Sequence, residues 1–565
     1  MTFLNAQDCA IGYRPPDRIM TLSRMGSFHQ NRLSFMRTLL RRINDEKWIF
    51  EKTRFEINAN GVGFAVYSAK GPQNTYSLVA FANDLPPEKR SDRVIATEWD
   101  ATFTLFDGEP SNQDIERLYN NTPLQESGRL TESELSLSRA NRSVRLWDHV
   151  VNSLSEGVQP DIGLVNKVGY LMRTTAVYAS GKFGVADREL ISERSECRGP
   201  FQVEMLTVYL IRAFVMDLVE YIAKVKSPKT AVKIDSGLRR RFGIGNSTGL
   251  GMAPFLMNHP MLINNWILAK EEAIYRVRKV EFPSEAEIRV FKDLLPRVAQ
   301  NTNDWHTIHP VQLEKLAHLR NDLRLLYKQV EEIDFSAAYP WNKLHLWSEE
   351  NLSLEGQEQL ASLIMEPYPD LVDGLSHCMD ADEAKAFRID GHMPVSKLKL
   401  LCEDIYNWAL EIDWSQKNAN ARAWYVSEEK LEPRLGERFS EDIEDYEQPL
   451  QPGRDASRMY NDLQKLHDDQ TVASFLLEKP EHRHTARRCQ LASKFQFAEI
   501  RDNTIDAKMM PIDLLRAKLS FFGATHFDPR SDRWLRISMF RGAPFPNELQ
   551  ESYRDDWAYP IAENS

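Results

Sequence analysis

Residues 55–82, Phe55-Glu-Ile-Asn-Ala-Asn-Gly-Val-Gly-Phe-Ala-Val-Tyr-Ser-Ala-Lys-Gly-Pro-Gln-Asn-Thr-Tyr-Ser-Leu-Val-Ala-Phe-Ala82, hold two breaks, Asn60-Gly61 and Gly71-Pro72. Between the breaks apolar side chains alternate. Asn-Gly reaches the positive φ of a tight hairpin turn, and a period of two marks a half-buried strand. Residues 93–106 alternate again and stop at Asp107-Gly108. Upstream, Leu33, Met36, Leu39, Leu40 and Ile43 recur at helical spacing and predict a helix over 29–47. The first 110 residues therefore predict a small antiparallel sheet covered by a helix.

From Ser111 the dominant period becomes helical. Predicted helices span 112–121, 131–155, 161–178, 200–225, 260–280, 284–299, 310–332, 355–366, 395–412, 455–477 and 510–521, with Ser111 and Ser284 as caps. The expected fold class is α+β, mainly helical: a small N-terminal antiparallel sheet with a helix, followed by a large α-helical body. The expected domains are 1–110 for the sheet and its helix and 111–427 for the helical body. An acidic linker or surface excursion follows at 428–454, where Pro433, Pro449 and Pro452 fall. Residues 455–565 form a helical region ending in an aromatic, Arg-rich tail of the kind that wraps a neighbouring domain or subunit.

Composition narrows the function. At 565 residues the chain exceeds one ordinary core. Residues 1–250 carry 33 Lys and Arg against 29 Asp and Glu, and the remainder 38 against 53. The acidic balance argues against nucleic acid as a partner, even though arginines cluster within 29–42 and 139–145. A local basic pocket in the first half still suits a small anion. The five cysteines are scattered without a CxxC, which predicts a reducing, cytoplasmic setting. The most apolar window, 206–223, contains Arg212, Asp217 and Glu220 and reads as a buried core helix of a soluble protein, with no membrane partner. Charges at Asp8, Arg14, Asp17 and Arg18 interrupt any cleavable signal.

Two glycine-flanked cationic segments carry the functional expectation. The first is Gly237-Leu-Arg-Arg-Arg-Phe-Gly-Ile-Gly-Asn-Ser-Thr-Gly-Leu-Gly-Met252. Read as a turn, it aims guanidinium groups, hydroxyls and backbone N–H groups at one anion. It lacks the Gly-Lys-Ser/Thr ending of a nucleotide loop, so a carboxylate, sulfonate or phosphate is expected. The second is Arg173-Thr-Thr-Ala-Val-Tyr-Ala-Ser-Gly-Lys-Phe-Gly-Val-Ala-Asp-Arg188. Arg173, Arg188, Arg239, Arg240, Asn246, Ser247 and Thr248 are the expected substrate-binding residues. His29, Tyr178, Lys182 and His259 are the expected acid–base groups. The structural account of the same residues is also open: glycines relieving tight packing, arginines at helix C-termini, Ser27 as an N-cap and Asn258 or His259 as a cap before Pro260.

His306-Thr-Ile-His309 and His482-Arg-His484 bring imidazoles close without a Glu or Cys in a ligand order, so no metal is expected. No cofactor is expected either. The leading expectation is an enzyme acting on a small anionic metabolite by elimination, isomerisation or hydrolysis. The competing one is a non-catalytic oligomeric scaffold or ligand sensor whose arginines pair between subunits. Both anticipate a homo-oligomer.

Overall fold

The computed structural model describes residues 11–86, 98–121, 130–179, 191, 194–197, 199–248, 260–305, 307, 309–379, 387–415, 451–499, 516, 519–524, 526–529, 535–549 and 553–559. Among the described residues the frame is one nine-stranded mixed sheet. The strands are β1 (Ile49–Ile57), β2 (Gly63–Lys70), β3 (Thr75–Ala82), β4 (Ala101–Asp107), β5 (Glu134–Arg142), β6 (Tyr170–Ala179), β7 (Gly243–Thr248), β8 (His526–Pro529) and β9 (Leu535–Met539). They lie in the order β1-β2-β3-β4-β5-β6-β7-β9-β8. All neighbours are antiparallel except β6 and β7, which run parallel.

The meander starts as its turns predict. Asn58 closes the first turn, its side-chain oxygen accepting from the backbone N–H of Asn60 at 2.9 Å and of Val62 at 3.1 Å. Gly61 supplies the positive φ of 76°. β1 is an edge strand whose Glu51, Lys52 and Glu56 are exposed, which discourages pairing with another chain. Helix Asn112–Asn121 covers one face of the meander, where Ile115 and Leu118 meet Val66, Val79, Phe81 and Phe106. Helix Gln202–Lys226 crosses the other face. Its Phe214 stands edge-on to Tyr67 and Phe103, with ring centroids 6.2 and 5.7 Å away. This helix lies within the crossover that returns the chain from β6 to the parallel β7.

The expected fold class is wrong at its centre. The sheet is not a small N-terminal one, because it runs from residue 49 to residue 539 and frames the chain. The spans 131–155 and 161–178, expected as helices, each contain a strand, β5 and β6, with only the short helices Trp147–Ser155 and Ile162–Val168 beside them. Burial explains the error for β6. β5 alternates Leu135 and Leu137 with Ser136 and Ser138, yet both faces are buried. The serine face is made tolerable by bonds such as Ser136 Oγ to Thr207 Oγ1 at 2.5 Å. β6 is likewise buried along Tyr170, Leu171, Met172, Arg173 and Thr174. β6, covered on both faces, loses the polar alternation that identifies a strand, whereas β5 keeps its period of two and the helical expectation overlooks it.

Helices downstream lie close to the expected spans: Pro260–Arg278, Glu285–Asn303, Pro310–Glu332 and Leu354–Leu363. Ser284 and Glu287 form a reciprocal capping box. A second hydrophobic core gathers helices Val395–Leu410, Gln451–Leu463, Val472–Glu478 and Arg483–Ala492. Residues 416–450, most of the expected linker, lie outside the described residues.

The aromatic tail packs onto its own chain. Phe540, Phe545, Trp557 and Tyr559 are buried in the main core. Asp555 anchors it by accepting from Arg41 at 2.6 Å, Arg37 at 3.0 Å and the Tyr553 hydroxyl at 2.9 Å. Glu366 takes both terminal nitrogens of Arg37 at 2.7 Å, and Asp373 takes Arg32. Three buried or nearly buried arginines thus face three carboxylates, one of them from the tail.

Gly245 marks a tight crossing of the sheet. A Cβ there would lie 2.6–2.8 Å from three ring carbons of the buried Tyr170. Gly245→Ala is expected to cost about 1–3 kcal/mol through overpacking. Gly374→Ala, which meets nothing within 4 Å, is expected to stay within about 0.5 kcal/mol of the parent. Equal denaturation midpoints for the two variants would remove this account of the glycine.

Candidate functional site

The glycine-rich segment is the strand β7, and this divides the expected anion cradle. Arg239 and Arg240 end the short helix Ser236–Arg240 before β7, whereas Asn246, Ser247 and Thr248 lie at its far end. Arg240 and Asn246 are six positions apart, with Gly243 to Gly245 of β7 between them, a span of at most roughly 20 Å at 3.3 Å per residue. The two halves do not converge on one small anion. Arg240 Nε donates to Glu548 at 3.1 Å. Arg239 lies 3.6 Å from Asp217 and over the ring of Phe545. Both arginines are therefore used within the chain.

The two cationic segments do come together, as paired strands. Arg173 of β6 stands opposite Gly245 of β7, and Thr174 opposite Asn246. Thr174 Oγ1 donates to the Gly245 carbonyl at 3.2 Å and accepts from Asn246 Nδ2 at 3.3 Å. Arg173, Thr174 and Asn246 are all buried. Because β6 and β7 are parallel, their carboxyl ends lie at the same edge of the sheet. Tyr178 is near the end of β6, and Ser247 and Thr248 end β7. Lys182, Arg188 and His259 lie outside the described residues.

His29 belongs to a different cluster. Ser27 Oγ is 2.7 Å from its Nδ1 and Lys270 Nζ is 3.3 Å from its Nε2. Lys270 also donates to Glu358 Oε2 at 2.7 Å. An ammonium only donates, so Nε2 accepts and the neutral ring keeps its proton on Nδ1. That proton goes to Ser27 Oγ, whose own hydrogen goes to the Arg24 carbonyl at 2.9 Å. Burial, reinforced by Lys270, holds the imidazole well below its usual 6.5. Both ring nitrogens are engaged, and Ser27 receives a hydrogen bond from the histidine instead of giving up a proton to it.

Sequence reasoning missed the anionic centre of this cluster. Glu358 is fully buried and accepts from Arg14 at 2.5 Å, Arg24 at 2.6 Å and Lys270. Arg14 forks onto Glu271 at 2.9 and 2.7 Å. Glu355 takes the Phe28 N–H at 2.7 Å and Arg516 at 2.5 Å. Glu355 and Glu358 are three apart on helix Leu354–Leu363, which places them on one face. Such a pair usually faces water, and the signal that would have marked it is the Gly356 between them. A Cβ there would lie 2.6 Å from Asp322.

Comparison with protein-family models, curated proteins and solved structures finds no match to this chain. The site must be read from its own chemistry.

Among the described residues one group of three metal-type side chains occurs: Asp462, Glu481 and His482. His482 Nε2 is 3.0 Å from Asp462, but Lys465 sits 2.8 Å from the same carboxylate. Lys479 lies 3.8 Å from Asp462 and 3.9 Å from Glu481. Hydrogen bonds from Lys465 and His482 hold Asp462 down at about 2. Two ammonium groups already supply the positive charge there. His306 lies outside the described residues, and His309 is the residue before helix Pro310–Glu332.

Proposed function

We propose that the protein binds a small oxyanion, a carboxylate, sulfonate or phosphate, at the carboxyl ends of β6 and β7 and acts on it by acid–base chemistry. The observation that supports this reading is the parallel pairing of Arg173 and Thr174 with Gly245 and Asn246. Ligands of open sheets bind outside the carboxyl ends of neighbouring parallel strands, where the following loops diverge. Both cationic segments leave the sheet at that edge. Asn246, Ser247 and Thr248 orient the anion, Arg173 supplies positive charge from behind the strands, and Lys182 and Arg188 complete the charge. Tyr178, Lys182 and His259 handle protons in an elimination, isomerisation or hydrolysis. His29 has no part in it, because both its nitrogens are committed elsewhere.

Thermal denaturation with added phosphate, sulfate and dicarboxylates tests the reading. An anion at a hundredfold excess over its dissociation constant stabilises the native state by about 2.7 kcal/mol. Lys182→Ala is expected to melt like the parent without ligand and to lose at least half of the ligand-induced rise. Arg240→Ala should keep the whole rise, since that arginine sits at the other end of β7. A rise lost in Arg240→Ala and retained in Lys182→Ala would overturn the proposal.

A further inference from the structure

The second core packs two cysteines from different helices against each other. Cys402 of helix Val395–Leu410 and Cys489 of helix Arg483–Ala492 have sulfurs 3.9 Å apart, and neither residue exposes any surface. The other described cysteines differ: Cys378 is exposed, and Cys197 lies 3.3 Å from the Tyr76 hydroxyl. Bringing the pair to bonding distance takes roughly 2 Å of sulfur travel.

We infer that Cys402 and Cys489 form a reversible thiol–disulfide pair that staples the second core when a low-molecular-weight disulfide is in excess. One protein thiolate attacks the external disulfide, forming a mixed disulfide and expelling one small thiolate. The second protein thiolate attacks the protein-side sulfur and expels the other. Two protein thiols and one external disulfide become one protein disulfide and two external thiols, with the two protons passing to the departing sulfurs. The hydrogen bond to Cys402, together with burial, pushes the Cys489 thiol well up. Because the pair is buried, the reagent enters only when the bundle opens. Helix Val395–Leu410 breaks at Tyr406, with φ −120° and ψ 21°, one turn beyond Cys402, which gives that opening a place to start. The staple joins positions 87 residues apart and so closes a loop around residues 416–450.

The full-length protein is equilibrated across a series of reduced and oxidised glutathione, trapped with an alkylating agent, and mapped by mass spectrometry. Expected is a Cys402–Cys489 cross-linked peptide lighter by two hydrogens, reversed by dithiothreitol. It should form faster in urea below the unfolding transition. The oxidised second core should survive limited proteolysis roughly ten times longer, because the cross-link restricts its opened state. Cys402→Ser and Cys489→Ser should each abolish the cross-link, and mapping of the parent protein decides the matter if either variant folds poorly. Glutathione on Cys378 with Cys402 and Cys489 reduced at every ratio, urea included, would overturn the inference. So would a cross-link that leaves proteolysis unchanged.

Discussion

Glu358→Gln is expected to lower the stability of the protein by about 3–5 kcal/mol, nearly as much as Glu358→Ala. The carboxylate is fully buried and serves Arg14, Arg24 and Lys270 together. Glutamine keeps its shape and removes its charge, so three cations lose their shared carboxylate, and Arg14 keeps its fork onto Glu271. Adding Lys270→Met to Glu358→Gln removes one stranded cation and should recover part of the loss. Chemical denaturation measures all three variants, and a glutamine variant matching the parent would refute the charge account.

The same cluster sets the response to acid. Glu358 is held well below its usual 4.5 by the cations around it, against the opposing effect of burial. Its contribution is therefore complete above pH 4.5 and fades as the pH falls further. His29 acts earlier. Its folded form stays neutral while the unfolded imidazole gains a proton below about pH 6.5, so acid favours the unfolded state from there. The melting temperature of the parent should begin to fall near pH 6.5 and fall faster below pH 4.5. In Glu358→Gln the steeper part should shrink.

Asp555→Asn is the second large effect, about 3 kcal/mol. Asp555 is the main partner of Arg41, whose next carboxylate, Asp373, lies 3.6 Å away. Arg37 and Arg32 keep Glu366 and Asp373, so the loss falls mainly on Arg41 and on tail docking. Tyr553→Phe removes only a neutral donor to the same carboxylate and should cost about 1 kcal/mol. Release of the tail is read by proteolysis after residue 549 and by fluorescence of Trp557. An Asp555→Asn protein whose tail is cleaved no faster than in the parent would count against this anchoring role.

Much of the local structure was legible, and most of what was not depends on distant partners. The meander β1 to β4 announces itself through alternation and Asn60-Gly61, and helix Glu285–Asn303 through Ser284 and Glu287. Those signals are local. β6 is buried on both faces along Tyr170 to Thr174 and carries no polar alternation, while β5 does alternate Leu135 and Leu137 with Ser136 and Ser138 and was open to a strand reading. β7 looks like a loop because Gly243 and Gly245 are chosen for what packs on them, the Met539 carbonyl and the Tyr170 ring, which no neighbouring residue reveals. The candidate site was half legible for the same reason. Chemistry drew attention to Arg173 and Asn246, and only pairing could show that they are adjacent while Arg240 is distant. Glu358 was invisible because its partners come from residues 14, 24 and 270.

The pairing of Ile244 in β7 with Met539 in β9 spans 295 residues of chain, and this has a consequence for birth on the ribosome. Translation at about 5–20 residues per second leaves β7 waiting on the order of 15–60 s for that partner. Throughout the interval β1 to β7 can assemble, but one rim of the nascent sheet presents a row of unmatched N–H and C=O groups. Unlike β1, that rim carries glycine, isoleucine and neutral polar residues in place of charges. A chain whose synthesis stops before residue 535 leaves the ribosome with this rim uncovered, so prematurely terminated products are expected to self-associate before they can be cleared.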